Sequence, residues 1–287
     1  MSFPCGRCVY CKQRRASNWS FRLQHHMRSN PLCSFVTLTY NTDHVPITAK
    51  KRMSLDKDHI KNFFKRLRQI QLRKDMKLFE RGIITKYYGK KISYYLAGEY
   101  GSKYSRPHYH LILFNCSPDS VIRAWRDPQS NAPIGSIYFG GVTPASIGYT
   151  LKYISKDSKV PQYKGDDRVP EFQRMSKGIG LSYITDNRIN WHLSDLFDRC
   201  YGQLPDSDIK VALPRYYKDR IYTSLERLMI GEALQSKDLE TTHWGTYPQH
   251  VNNLIRTDPY KYIELQYQKL RVDSEKNSLN HQKDQLF

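Results

Sequence analysis

Hydrophobic and polar residues alternate in several short stretches of this chain, and a period of two predicts β-strands. Residues 35–40, 94–100 and 108–114 are candidate strands of this kind, and residues 135–142 form a fourth. The polar turn at 101–105 separates the second and third stretches by only a few residues. These two strands are therefore expected to pair as an antiparallel hairpin.

Apolar residues recur at helical spacing in the segments between these strands. One helix is expected at 18–27, a longer one begins after Ser54 as its N-cap, and a short one follows Ser117. Residues 143–156 begin with Thr-Pro, which is a start signal for a further helix. Strands and helices in this order predict an α+β domain, with an antiparallel sheet and helices on one or both of its faces.

The remainder of the chain has weaker patterns. Residues 157–180 are polar and punctuated by proline and glycine, which predicts a long loop. Residues 181–227 indicate a mixture of helix and extended structure, and 259–276 predict a helix before a polar tail. We expect three regions: a cysteine-rich segment at 1–34, the main domain at 35–235 and a helical extension at 236–287.

Composition adds a strong positive charge to this picture. The formal net charge is +19 and the pI is near 9.6, which favours a polyanionic partner. Nucleic acid is the first candidate, an anionic membrane surface is the second, and a merely soluble basic protein is the third. The 22 tyrosines lie among the basic residues, a mixture typical of single-strand binding. No apolar run approaches membrane-spanning length and no signal peptide is evident, so a soluble intracellular protein is expected.

The long helix after Ser54 adds a basic surface to this charge. Its outer face is rich in lysine and arginine and few acidic residues balance them, so it is expected to face DNA rather than only solvent. The residues that we expect to contact DNA are Lys61, Lys65, Arg66 and Arg68.

Two histidines suggest a metal site at the start of the third strand. His108 and His110 lie on one face of the strand, about 7 Å apart along it, which suits a single divalent ion. The expected hairpin would place Glu99 beside them. Two histidines and a carboxylate leave positions open on Mg²⁺ or Mn²⁺, as a catalytic site requires. Ordinary polar roles at a strand end are the alternative for these three residues.

The helix at 143–156 carries two tyrosines, Tyr149 and Tyr153. Its apolar residues Ile147, Leu151 and Ile154 form one face that should pack inward. The tyrosines fall on the other face, and Lys152 and Lys156 lie with them. Phenols flanked by ammonium groups suit covalent chemistry on a phosphate. Aromatic packing is the alternative, but the opposite face already supplies an apolar stripe.

The N-terminal segment contains Cys5, Cys8 and Cys11 in the spacing Cys-x₂-Cys-x₂-Cys. Thiols packed this closely argue against a disulfide framework and predict a zinc knuckle that needs one more ligand. Cys33 is the first choice for that ligand, with His25 or His26 behind it. An iron–sulfur cluster and free reduced thiols remain the alternatives.

Taken in order, these motifs resemble those of the HUH endonucleases. The similarity is greatest to the Tyr-x-x-x-Tyr subgroup that contains the replication initiators of small single-stranded DNA phages (Microviridae), and especially to the gokushovirus type. It spans roughly residues 4–217, and an aromatic residue, Tyr109, stands where the family usually has an aliphatic one; we expect it to point outward from the strand. The motifs are Phe35-Val-Thr-Leu-Thr-Tyr40, Glu99 with His108-Tyr109-His110, and Tyr149-Thr-Leu-Lys-Tyr153-Ile-Ser-Lys156.

The resemblance implies a ferredoxin- or RRM-like nuclease core and an origin-nicking, rolling-circle replication initiator. One tyrosine would attack a phosphate and leave a 5′-phosphotyrosine and a free 3′-OH. The second would cleave the regenerated origin, and the 3′-OH would then close a circle. Lys152 and Lys156 would stabilise charge on the phosphate.

The expected partners are single-stranded or supercoiled phage DNA at the origin and, in the cytoplasm of a bacterial host, the replication helicase and polymerase. The chain lacks a Gly-x₄-Gly-Lys-Ser/Thr loop, so a helicase would be a separate protein. The rival hypothesis is a non-catalytic basic protein that binds single-stranded DNA for packaging or regulation.

Overall fold

The computed structural model describes residues 5–84, 91–102, 104–155 and 158–231, and for Tyr153 and Ser155 it describes the backbone alone. The chain forms two compact units. One consists of residues 15–185 and 202–211. The other consists of residues 1–14, 186–201 and 212–287.

A five-stranded antiparallel sheet lies in the first of these units, with strand order β4-β1-β3-β2-β5. The α+β class and the antiparallel sheet predicted from the sequence are confirmed. The strands are β1 (Cys33–Thr39), β2 (Ser93–Tyr100), β3 (Pro107–Phe114), β4 (Ile137–Gly140) and β5 (Phe172–Met175).

The central strand β3 is buried on both faces, which explains its nearly continuous apolar sequence. It pairs with β2 on one side, where Glu99 lies opposite His108. On its other side it pairs with β1, where Thr37 lies opposite His110. This register places the polar ends of three neighbouring strands together.

Helices account for most of the remaining regular structure, and the helix at 143–156 begins as predicted, with the Ser146 N–H donating to Thr143 Oγ1 at 3.1 Å. No helix among the described residues is long and apolar enough to cross a membrane. The helices are α1 (Val9–Ser29), α2 (Lys57–Glu80), α3 (Pro118–Ala124), α4 (Pro144–Ser155), α5 (Asp186–Leu193) and α6 (Arg215–Ile221), with a 3₁₀ turn at Leu181–Tyr183. A small sheet pairs β6 (Tyr201–Gln203) with β7 (Lys210–Ala212).

Each face of the large sheet has its own apolar cluster. On one face, α2 packs Ile60, Phe63, Phe64 and Leu67 against the strands. On the other face, Ile112 and Phe114 contact α4 and Leu23 of α1, and the predicted inward face of α4 is confirmed because Ile147, Leu151 and Ile154 are buried there. Each such side chain contributes roughly 1.5–3 kcal/mol by leaving water. The two helices are therefore fixed against the strands that carry the candidate site.

The N-cap of α2 differs from the sequence prediction. Asp56, not Ser54, caps the helix, because its Oδ1 accepts from the N–H groups of Asp58 and His59 at 2.6 and 2.8 Å. Ser54 is buried instead, and its hydroxyl accepts from the Val169 N–H. Both residue types cap helices well, so the sequence alone did not separate them.

Tyr109 also differs from expectation, since it is buried rather than outward. Its side chain lies on the α2 face of β3, and its hydroxyl donates to the Asp56 carbonyl at 3.0 Å. The same hydroxyl accepts from the Asp56 N–H at 2.8 Å and lies 3.1 Å from the Tyr40 hydroxyl. The phenol therefore ties the start of α2 to the central strand, a role that an aliphatic residue does not offer.

The loop expected at 157–180 contains a strand. Residues Phe172–Met175 form β5, which pairs with β2 at the edge of the sheet. Main-chain pairing to an existing sheet edge overrides the polar, proline-flanked local sequence. The mixed structure predicted for 181–227 is confirmed. The helix predicted at 259–276 lies outside the described residues, and the division into 1–34, 35–235 and 236–287 stays a prediction.

Candidate metal centre and tyrosine helix

The two histidines and Glu99 form a single cluster on one face of the sheet. His108 Nε2 lies 2.6 Å from Glu99 Oε1, and His110 Nε2 lies 3.1 Å from the same oxygen. The three ligand atoms all lie within 4.8 Å of one another. The predicted constellation of two imidazoles and one carboxylate is therefore present, which is the arrangement of a divalent metal site.

Main-chain and side-chain partners orient both imidazoles. His108 Nδ1 lies 3.1 Å from the Arg106 carbonyl oxygen, which only accepts, so Nδ1 carries the proton. His110 Nδ1 lies 3.0 Å from Thr37 Oγ1. Each ring thus turns its Nε2 towards Glu99. A proton or a cation must lie between His108 Nε2 and the carboxylate, because both are otherwise acceptors.

The site is largely shielded from water. The side chains of His108, Glu99 and His110 are 19%, 14% and 7% exposed. Burial raises the pKa of the Glu99 carboxyl, but its hydrogen bonds with His108 and His110 outweigh that effect and lower the pKa to about 2. Glu99 is therefore an anion at neutral pH, as a metal ligand must be.

Helix α4 places a tyrosine against this cluster. The ring of Tyr149 meets the His110 ring edge-on at a centroid distance of 5.6 Å and also contacts Phe35 at 6.2 Å. Tyr149 remains 46% exposed, so its phenol is open to an incoming strand. Its position does not match simple aromatic packing in a core.

The other residues of this helix are placed less completely. Lys152 is exposed on α4, as the sequence predicted. The backbone of Tyr153 lies one helical turn beyond Tyr149, and its side chain is outside the description. Lys156 also lies outside the described residues. The roles assigned to these residues stay predictions.

The cysteines at the N-terminus form a second cluster. Cys5 Sγ lies 4.0 Å from Cys11 Sγ, the Cys8 N–H donates to Cys5 Sγ at 3.3 Å, and all three sulfurs lie within 4.8 Å of one another. Hydrogen bonds from the backbone N–H groups of Arg7 and Cys8 lower the pKa of the Cys5 thiol to about 7. A thiol of that pKa is readily available as a thiolate for metal binding.

The residues expected to complete this cluster have other surroundings. Cys33 begins β1 and packs against the apolar cluster under α4, where burial raises the pKa of its thiol. His25 Nε2 lies 3.0 Å from the Gln203 carbonyl oxygen, and His26 Nε2 lies 2.7 Å from Ser93 Oγ. Among the described residues, the group of neighbouring thiols contains Cys5, Cys8 and Cys11 and does not include Cys33.

The basic face of α2 divides into exposed and tethered residues. Lys61, Lys65 and Arg68 are exposed, and Lys61 has an exposed ion pair of 3.9 Å with Asp58. Arg66 instead donates to the Ala124 carbonyl at 3.0 Å, and burial lowers the pKa of its guanidinium. Arg66 therefore anchors α3 to α2, while DNA contacts by the other three stay a prediction.

Sequence reasoning missed two features of the site. Thr37 orients His110, and the alternation in β1 could have shown that it shares the histidine face. The second feature is the approach of α1 and β5 to Glu99, which no local pattern announces because β5 itself was not predicted. Both depend on strand pairing across long separations in the chain.

Known proteins resemble this chain over most of its length. A family model described as a replication-associated protein of the ORF2 type matches residues 33–158, the segment that holds the metal cluster and Tyr149. The chain belongs to this family of phage replication-associated proteins. No solved structure matches it.

Three relatives show how far the similarity extends. The chain is 35% identical to Replication-associated protein ORF2 of Spiroplasma virus 4, over 91% of this chain and 86% of the relative. It is 28% identical to Replication-associated protein VP4 of Bdellovibrio phage phiMH2K, over 76% and 67% of the two chains. It is 35% identical to Replication-associated protein ORF4 of Chlamydia phage 1, over 75% and 52%.

Proposed function

We propose that this protein initiates rolling-circle replication by nicking and rejoining single-stranded phage DNA at the origin. The observation that carries the proposal is the contact of the Tyr149 ring with His110, within a cluster that also contains His108 and Glu99. A phenol beside a divalent-metal site is the arrangement of a metal-dependent tyrosine nuclease. We assign the chain to the two-tyrosine HUH type, with a ferredoxin- or RRM-like core.

The donor set fits a divalent ion with open coordination positions. His108, His110 and Glu99 would hold Mg²⁺ or Mn²⁺, and the fixed ring orientations leave both Nε2 atoms and the carboxylate directed at one point. When bound, the ion would polarise the scissile phosphate as a Lewis acid.

The chain's own residues then carry out the transfer. The phenol oxygen of Tyr149 bonds to phosphorus, and the bond from phosphorus to the 3′-oxygen breaks. The phenol gives up its proton and the departing 3′-oxygen gains one, so the products are a 5′-phosphotyrosine and a free 3′-OH. Lys152 lies on the same helix and stabilises negative charge on the phosphate.

Tyr153 is proposed as the second nucleophile. It lies one helical turn from Tyr149, about 6 Å along the axis, so both phenols can serve one phosphate site. After one round of synthesis it cleaves the regenerated origin, and the free 3′-OH attacks the first phosphotyrosine to close a circle. Lys156 assists as Lys152 does.

The remaining expectations complete the proposal. The thiols of Cys5, Cys8 and Cys11 hold a structural zinc ion with one further ligand, while Lys61, Lys65 and Arg68 contact the DNA backbone. The protein acts in the cytoplasm of the bacterial host, with the host helicase and polymerase.

One experiment separates this proposal from that of a non-catalytic DNA-binding protein. The purified chain is incubated with single-stranded circular phage DNA and Mg²⁺ or Mn²⁺, then boiled in detergent. We expect a covalent protein–DNA adduct that EDTA prevents and that Tyr163→Phe, a change in an exposed loop, leaves intact. A protein that binds the DNA tightly and yields no adduct with either metal is a binding protein, and the proposed function is then wrong.

A further inference from the structure

A cavity of about 430 Å³ opens directly beside the metal cluster. Glu99 belongs to both, since its carboxylate meets the histidines and its side chain also lines the cavity. The volume lies in the range of small-ligand pockets. The side chains that matter for the argument are Arg15, Trp19, Glu99, Lys159, Gln173 and Met175.

Strand pairing and one helix build this cavity. In the register of β5 with β2, Gln173 lies opposite Ala97 and Met175 lies opposite Tyr95. Gln173 and Met175 therefore share the face of the sheet that carries Glu99. Helix α1 supplies Arg15 and Trp19, four residues apart and hence on one side of the helix.

The indole of Trp19 is held in a fixed position. Its ring lies 5.3 Å from the Tyr95 ring, and the Arg22 guanidinium lies 4.0 Å from its centroid. Arg22 is itself anchored, because Nε and Nη2 donate to the Ile179 carbonyl at 3.1 and 3.0 Å. A preorganised aromatic side chain binds a flat partner without a further loss of rotamer entropy.

Cationic and amide groups surround this aromatic wall. Lys159 Nζ donates to the Tyr100 carbonyl at 2.9 Å, which holds the ammonium at the end of β2. Glu171 accepts from the Ser158 hydroxyl and from the Lys159 N–H, so its carboxylate fastens the cavity rim to the sheet. Beneath Trp19, the buried hydroxyl of Tyr95 has no hydrogen-bond partner among the described residues.

We propose that this cavity binds the base of a nucleotide next to the cleaved phosphate. Trp19 and Met175 contact the base, the Gln173 amide meets its polar edge with a donor and an acceptor, and Arg15 and Lys159 face the adjoining phosphates. The assignment rests on the proposed function, because Glu99 connects the cavity with the site of cleavage. It gives the protein a means to choose which phosphate reaches Tyr149.

The test is an abasic scan of a single-stranded oligonucleotide that contains the mapped nick site or, without one, of the tightest-binding origin oligonucleotide. Affinity is measured by fluorescence anisotropy in EDTA, where no cleavage occurs. For the wild-type chain we expect one position beside the scissile phosphate at which removal of the base weakens binding about tenfold or more. Trp19→Leu and Gln173→Ala should weaken binding of the intact oligonucleotide, and the abasic penalty at that position should then largely disappear.

Gln129→Ala, in an exposed loop, is the matched control and should keep the full penalty. Circular dichroism verifies folding, and Gln173→Ala on the edge strand provides the test if Trp19→Leu does not fold. The inference is overturned if both variants retain the wild-type penalty, or if no position in the scan carries one. A chain that shows the penalty and its loss in the variants, but never forms a covalent adduct, contradicts the proposed function and leaves the base-binding cavity standing.

Discussion

The two clusters of metal-binding residues in this protein are built in opposite ways. Cys5, Cys8 and Cys11 come from one heptapeptide, and Cys5 and Cys8 are exposed. Glu99, His108 and His110 come from two paired strands and are mostly shielded from water. The first cluster is local in sequence, whereas the second depends on the register of a sheet.

This difference bears on what each cluster can do. The histidines have fixed partners at Nδ1, so the site is oriented before any ion arrives. The thiols have no comparable scaffold in the described residues beyond hydrogen bonds from their own turn. A preorganised site with open positions suits catalysis, and a flexible thiolate site gains its order from the metal, as structural zinc sites do.

The largest effect is expected at the histidines. His108→Ala combined with His110→Ala should lower nicking by at least about a thousandfold, because a Lewis acid contributes several kcal/mol to such a step. Binding of single-stranded DNA should remain nearly unchanged, since lysine and arginine contacts to phosphates supply most of that affinity. Adduct yield and anisotropy measure the two quantities.

His44→Ala, outside the cluster, serves as the control and should nick normally. If the double variant still cuts DNA in the presence of a chelator, the cluster is not the catalytic metal site, and the contrast between the two clusters loses its functional meaning.

A comparable loss is expected at the two phenols only when both are removed. Tyr149→Phe and Tyr153→Phe each delete one oxygen, so each single variant should still nick a short oligonucleotide through the remaining phenol. The double variant should be inert, and release of closed circles should require both phenols. If Tyr149→Phe releases circles at the wild-type rate while Tyr153→Phe is inactive, the protein is a single-tyrosine nuclease and Tyr149 is a packing residue.

A smaller effect on catalysis is expected at the thiols. Metal analysis of the purified chain should find about one zinc per molecule, and Cys5→Ser with Cys8→Ser should release it. Because the thiols lie outside the sheet, we expect adduct formation to fall by less than in the histidine variant. Cys200→Ser should retain the metal. A folded, active wild-type sample without zinc would return these residues to free thiols.

The smallest effect is expected at the residue that orients His110. Thr37→Val removes the hydroxyl beside Nδ1 at nearly constant volume and should lower the apparent affinity for Mn²⁺ about 10- to 100-fold. Excess Mn²⁺ should restore nicking. Thr39→Val, which removes a hydroxyl bonded to the Ser136 carbonyl, is the control on the same strand. Loss of nicking in Thr37→Val that Mn²⁺ does not restore would contradict a role in orientation.

The sequence predicted those parts of the site that depend on local periodicity. Strand alternation placed His108 and His110 on one face, a short turn placed Glu99 beside them, and helical spacing turned Ile147 inward. The contact between Tyr149 and His110 required more, because it depends on how α4 packs against the sheet. Periodicity specifies which face of a helix is buried and leaves its position over the strands open.

The features that sequence reasoning missed are those that depend on distant pairing. Strand β5 is short, polar and next to Pro170, and it exists because the edge of β2 offers hydrogen bonds. Cys33 is a sound zinc ligand by residue type, but its place at the start of β1 packs it among apolar side chains instead. In both cases the tertiary environment decided the outcome.

Peptide mapping of the covalent adduct tests the central claim most directly. Wild-type protein is reacted with single-stranded origin DNA and Mg²⁺, digested with nuclease and protease, and analysed by mass spectrometry for a nucleotide-modified peptide. We predict the modification within α4, on Tyr149 or Tyr153, and its shift entirely to Tyr153 in Tyr149→Phe. A modification on any tyrosine outside α4, or on a residue that is not tyrosine, would contradict the account.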